Sequence, residues 1–187
     1  MQATVPWVRI PPPPPFILHA GYWHAIITLK KFIFMEKNHI HILSRAVIID
    51  SNYILLCKTR DLNLNFYFLP GGHVEHGESV QAALLRELME EAGAKCKIKR
   101  MLGCLEYSFE PGHNSICHIH EYNFIFEVES DVLKFGYKVP QIEKDIELIW
   151  MPFDKINEID LRAEPLKALI PKWLLLPVHN SFESDMV

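Results

Sequence analysis

Gly72-His73-Val74-Glu75-His76-Gly77-Glu78-Ser79-Val80-Gln81-Ala82-Ala83-Leu84-Leu85-Arg86-Glu87-Leu88-Met89-Glu90-Glu91-Ala92-Gly93-Ala94 is the stretch on which the fold turns. It opens on Gly72, contains no proline and no cluster of β-branched residues, and reaches Gly93 one residue before its end. Ser79 is placed to cap a helix over Ser79–Ala92, and Gly93 stands where a left-handed C-terminus is expected. Leu84, Leu85, Leu88 and Ala92 form the apolar face of that helix. Glu87, Glu90 and Glu91, spaced i, i+3 and i+4, bring three carboxylates together on another face.

Like charges at this spacing repel, by roughly 0.2–0.5 kcal/mol per pair on an exposed helix. Arg86 alone cannot neutralise three glutamates. A divalent cation can, and hard oxygen ligands suit Mg²⁺ or Mn²⁺. Gly71 and Gly72 let backbone approach a ligand closely, and their carbonyls can face a metal. Glu75 and Glu78 add carboxylates just ahead of the helix, where negative charge also complements the helix dipole. Taken without its context, the acidic face is equally a solvated helix surface.

The complete spacing goes further. Gly72, five residues, Glu78, seven residues, then Arg86-Glu87-Leu88-Met89-Glu90-Glu91-Ala92-Gly93-Ala94 resembles the signature box of the Nudix hydrolases, G-x5-E-x7-R-E-U-x-E-E-x-G-U, where U is a bulky aliphatic residue. All seven fixed positions match, and Ala94 departs only by being small. A chance match in a chain this long has odds on the order of one in 10⁶.

The resemblance implies an α/β (α+β) fold, an α/β/α sandwich with a mixed β-sheet and a loop–helix–loop catalytic box. It implies hydrolysis of a nucleoside diphosphate linked to another group, with Mg²⁺ or Mn²⁺ as cofactor. By resemblance Glu87, Glu90 and Glu91 are metal ligands, with the Gly71 carbonyl a further one. Arg86 orients Glu87, and Glu78 assists metal or water placement. The general base is Glu87 or a carboxylate from a later segment: Glu110, Glu121, Glu143 or Glu147. The rival reading is a nucleotide-binding module that kept the fold and lost turnover, although such modules typically lose box carboxylates and none is lost here.

Outward from the box, His41–Asp50 and Tyr53–Lys58 are predicted as strands joined by a turn at Ser51-Asn52. Phe66–Leu69 is predicted as a short strand, Lys97–Tyr107 as a strand, and Glu110–Asn114 as a loop. Ile119–Val128 alternates Tyr122, Phe124, Phe126 and Val128 on one face. Glu147–Met151 is a further strand. Asp154–Ile159 and Pro165–Leu175 read as helices. Phe66, Tyr67 and Phe68 are candidate stacking residues for a base, or core aromatics. Glu121 is a candidate substrate contact. His118 and His120, like His39 and His41, share a strand face, but their spacing matches no structural zinc pattern.

The chain of 187 residues, 49% hydrophobic and 22% charged, suits one ordinary domain with extensions. The formal net charge of −4 offers no global basic field for DNA or RNA. The four cysteines form no C-x-x-C pair and read as free thiols in a reducing compartment, hence a cytoplasmic protein. Residues 38–177 are expected to form the domain, 1–37 an extension outside it and 178–187 a tail. Phe16–Met35 follows five prolines and carries His19, His24, Thr28, Lys30 and Lys31, which fit a membrane span or a signal peptide poorly. An extension that is not part of the fold, with translation starting at Met35, is the expectation. The expected partner is a nucleotide-like small molecule, with a homodimer possible.

Overall fold

The structure, a computed structural model, describes residues 40–60, 65–108, 120–175 and 182–184. The expectations for 1–37, and those for His39, Glu110, Cys117 and His118, lie outside the described residues.

Chain direction changes where the local chemistry allows. Strand β1 (Ile40–Val47) leaves its sheet at Ile48, and β2 (Ile49–Asp50) begins in another. The single strand expected over His41–Asp50 is thus two. Ser51 and Asn52 both adopt positive φ, 51° and 66°, which gives the two-residue turn matched to strand twist, and β3 (Tyr53–Thr59) returns antiparallel to β2. Of the strand expected over Phe66–Leu69, only β4 (Tyr67–Phe68) pairs with β3, while β5 (Gly71–His73) pairs antiparallel with β1. The glycines expected to break the chain therefore form a short edge strand.

Helix α1 (Val80–Ala92) follows. The Ser79 Oγ accepts from the Ala82 N–H at 3.1 Å, and Gly93 takes φ 60° at the other end. Ser79→Ala is expected to cost about 1 kcal/mol of stability, read as a lower midpoint in urea; an unchanged midpoint would remove the cap from the account.

Strands β6 (Lys97–Ser108) and β7 (His120–Glu129) pair antiparallel, with irregularities between Ile98 and Arg100 and between Met101 and Gly103. Strand β8 (Ile146–Pro152) runs along β3. The helix expected over Asp154–Ile159 is a 3₁₀ helix over Phe153–Glu158; β9 (Leu161–Arg162) and α2 (Leu166–Leu175) come after it. Phe182–Ser184, assigned to a tail, instead forms β10 parallel to β6.

One sheet has the order β10-β6-β7-β1-β5, with β1 parallel to β7. The other has the order β2-β3-β4-β9, with β8 on the remaining edge of β3. The mixed sheet of the expectation is thus two mixed sheets.

Strict alternation divides the core. Ala46 and Ile48, Leu55 and Cys57, and Phe126 and Val128 join Leu84, Leu88 and Ala92 of α1. Val47, Ile54 and Leu56, and Ile125 join Leu166, Ile170 and Trp173 of α2. Each of these strands therefore feeds two cores, one under each helix. The small Ala94, where the box pattern calls for a bulky aliphatic, is buried in the first core.

Candidate active site

Two close approaches fix α1 against the glycine strand. A Cβ built on Gly72 would stand 2.5 Å from the Glu87 carboxyl carbon, so only glycine lets that carboxylate lie against the backbone. The Gly71 N–H donates to Glu91 Oε2 at 3.0 Å, and the Gly71 carbonyl accepts from the Arg45 guanidinium. One peptide segment thereby joins strand, helix and arginine.

Arg86 gathers the acidic side chains. Its Nη2 donates to Glu78 Oε1 at 2.7 Å and its Nε to Glu78 Oε2 at 3.3 Å. Its Nη1 donates to Glu87 Oε1 at 2.9 Å and to Glu90 Oε2 at 3.2 Å. Its Nη2 also donates to the His73 carbonyl at 3.0 Å, which ties the group to β5. The hydrogen bond from Arg86, then the one from the Glu75 N–H, holds the Glu78 carboxyl below the usual carboxylate range.

Glu91 is different. It is 4% exposed, with its Oε1 3.8 Å from the Cys57 thiol. Burial pushes its carboxyl up to about 7, against the opposing pull of the Gly71 N–H and Arg45, and the charges of Glu87 and Glu143 add to the rise. Glu143, although its residue is exposed, is raised too, by partial desolvation first and then by Glu87, Asp145 and Glu90. It is carried by the segment before β8, where the Ile142 N–H donates to the Glu91 carbonyl at 3.3 Å. That carbonyl is one of the orphan acceptors of the helix end.

A raised carboxyl stabilises the fold below the raised value and loses that contribution as pH climbs through it. For Glu91 the window runs from about 4.5 to about 7 and is worth roughly 3 kcal/mol. In EDTA, the wild-type thermal midpoint is expected to fall between pH 5 and pH 7.5 more than that of Glu91→Gln. Parallel midpoints across that range would contradict the shift.

Among the described residues, no three His, Cys, Asp or Glu side chains converge closely enough to hold a metal ion as they stand. Glu87 and Glu90 lean on Arg86, Glu90 at 58% side-chain exposure, while Glu91 points inward. The donor set nevertheless fits a hard dication in kind. It is all oxygen, and Glu78, Glu87, Glu90, Glu91 and Glu143 outnumber the cations Arg86 and Arg45.

The other candidates are distributed around this group. Phe68 has the Arg45 guanidinium 5.6 Å from its ring centre, and Phe66 has that of Arg162 at 5.2 Å. Their rings are 6.1 Å apart and tilted. Glu121 is 8% exposed, accepts from Asn123 Nδ2 at 2.8 Å, and lies on β7, separated from β5 by β1. Glu147 lies across from Lys58 on β3. His120 approaches Glu106 at 3.3 Å, and His41 Nδ1 lies 2.7 Å from His73 Nε2. Arg45 was missed by the sequence reading, although a lone cation between Leu43 and Val47 in an apolar strand signals a buried acceptor nearby. Cys57 gave no such signal.

The NUDIX domain family model matches residues 40–173. The chain therefore belongs to the Nudix family. It is 37% identical over 99 residues to an ADP-ribose pyrophosphatase of Methanocaldococcus jannaschii, covering 52% of this chain and 57% of that one. It is 33% identical over 72 residues to human diphosphoinositol polyphosphate phosphohydrolase 3-alpha, covering 38% and 44%. The matches thus span about half the length of those relatives. A NUDIX hydrolase from Nitrosomonas europaea superposes with a TM-score of 0.58 at 18% identity, over 75% of this chain and 98% of that one. The MutT protein of Methanosarcina mazei Go1 does so at 0.57 and 21%, over 73% and 94%. At these identities the likeness to solved structures shows the fold alone.

Proposed function

We propose that this protein is a divalent-metal-dependent hydrolase that cleaves the phosphoanhydride linkage of a nucleoside diphosphate joined to a further group. The observation that carries this is the excess of carboxylate over cation at the base of a glycine strand, with Glu91 raised by burial first and further by the charges of Glu87 and Glu143. Glu87, Glu90 and Glu91 would hold Mg²⁺ or Mn²⁺. The Gly71 carbonyl, which already accepts from Arg45, has a second lone pair to add. Bound there, the ion would supply charge neutralisation on the diphosphate and a more acidic attacking water.

The residues of the chain have separate tasks. Arg86 fixes Glu87 and Glu90 relative to Glu78 and to β5. Glu143 is the proposed proton acceptor, because it is the later carboxylate whose segment, through the Ile142 N–H on the Glu91 carbonyl, meets α1 among the described residues. Glu87, the other candidate base, is then left to the ion. Phe66 and Phe68 are the proposed rings for a base, each beside an arginine, and Phe68 is linked to the site through Arg45, which donates to the Gly71 carbonyl. Glu121 is kept for the part of the substrate farthest from the diphosphate.

A domain over 38–177 brackets the family match. Among the described residues no helix is long and apolar enough to cross a membrane. The free thiols Cys57, Cys96 and Cys104 suit a reducing, cytoplasmic setting. The net charge gives no support to a nucleic-acid partner.

The test is a screen of ADP-ribose, nucleoside diphosphate sugars, dinucleoside polyphosphates, nucleoside triphosphates and a diphosphoinositol polyphosphate, with product phosphate measured. Mg²⁺-dependent turnover of at least one is expected. Turnover of none would leave the protein a binding module.

A further inference from the structure

We propose that Gln141 is a positioning residue for this reaction, its carboxamide fixing the segment that presents Glu143 to the carboxylate face of α1; this rests on the role of Glu143 proposed above. Gln141 lies between β7 and β8, where the backbone has no regular partner. Its side chain supplies one. The Leu148 N–H donates to Gln141 Oε1 at 2.9 Å, and Gln141 Nε2 donates to the Leu148 carbonyl at 3.0 Å. A carboxamide has the donor and acceptor of a peptide group, so it makes with one residue of β8 the two bonds that a neighbouring strand would make. The same Nε2 reaches the Val139 carbonyl at 3.4 Å, closing the segment on itself.

The next residues are held by α1 and by Arg60, the residue that follows β3. The Ile142 N–H donates to the Glu91 carbonyl, and the Ile142 Cδ1 sits 2.6 Å from where a Cβ on Gly93 would stand. Beyond Glu143, the Arg60 N–H donates to the Asp145 carbonyl at 2.9 Å. Glu143 is thus carried on a short span anchored on both sides, and Gln141 is the anchor made by a side chain. Residues Gln141–Asp145 are exposed, so burial does not hold the span in place.

The experiment uses the full chain and the panel substrate turned over fastest, at saturating Mg²⁺. Gln141→Met keeps the length of the side chain and removes both polar atoms. Glu143→Gln is expected to lower kcat about a hundredfold, as loss of a general base does, with KM little changed. Gln141→Met is expected to lower kcat about tenfold, again with KM little changed, and to speed hydrogen exchange at the Ile142 amide. The double variant should be no slower than Glu143→Gln alone, because a residue acting through Glu143 then has nothing to act on.

If Gln141→Met fails to fold, Gln141→Glu, which keeps the acceptor and loses the donor, takes its place with the same expectation. Undiminished kcat in Glu143→Gln, or no turnover of any substrate, overturns the proposed base and this inference with it. A slow Glu143→Gln beside a fast Gln141 variant, or losses that multiply in the double variant, overturns the positioning role alone.

Discussion

Glu91→Gln is expected to lower kcat by about 10³, the upper end of what one preorganised electrostatic group supplies, while the protein stays folded. The amide matches the carboxylate in shape. Its oxygen can still accept from the Gly71 N–H, which now bonds Glu91 at 3.0 Å, so the tie between α1 and β5 survives. Neutralising Glu91 also removes the cost of a charge buried at 4% exposure, so stability should rise rather than fall near pH 7. What disappears is one negative charge at the proposed ion. Glu90→Gln is a companion with less structural risk, since Glu90 is exposed and, among the described residues, its carboxylate is held by Arg86. Initial rates beside circular dichroism decide the matter. Turnover at the wild-type rate in either variant removes that residue from the mechanism.

The second large effect is removal of divalent ions. Activity in EDTA is expected to fall to background and to return with Mg²⁺ or Mn²⁺. A readout independent of turnover accompanies it. An ion that binds only the folded chain stabilises it by about 2.7 kcal/mol at a hundred times its dissociation constant, so Mn²⁺ should raise the thermal midpoint. In Glu91→Gln the rise should shrink sharply. Full activity in EDTA, or a midpoint indifferent to Mn²⁺ in the wild type, would overturn the metal-dependent reading.

Residues with short-range signals were legible from the sequence. The helix of the box, its Ser79 cap and its Gly93 terminus depend on contacts within one turn, and the sequence displays them directly. The alternation in β7 likewise announces its two faces, although not that they serve different cores. The split of His41–Asp50 was not legible, because Ile48 looks like any other strand residue and only the second sheet makes it a crossing point. The 3₁₀ helix at Phe153–Glu158 and the strand at Phe182–Ser184 are set by what they pack and pair with, not by their own propensities. At the site, the carboxylates could be named but not their directions. That Glu91 turns inward while Glu90 faces solvent follows from the helix lying on β1 and β5. Glu143 was one of four later carboxylates in the sequence, and the contact of its segment with the end of α1, on which its proposed role rests, joins residues about fifty positions apart and leaves no local signal.

The guanidinium at the centre of the acidic face has one more implication. An ion held at the proposed ligands would compete with Arg86 for the oxygens of Glu87 and Glu90, so loading would be an exchange of counterions, and the affinity would be the difference between two attractions. Occupancy would then follow the ambient ion concentration instead of saturating far below it, and the helix would keep its shape in either condition because an internal cation stands ready to take the carboxylates back.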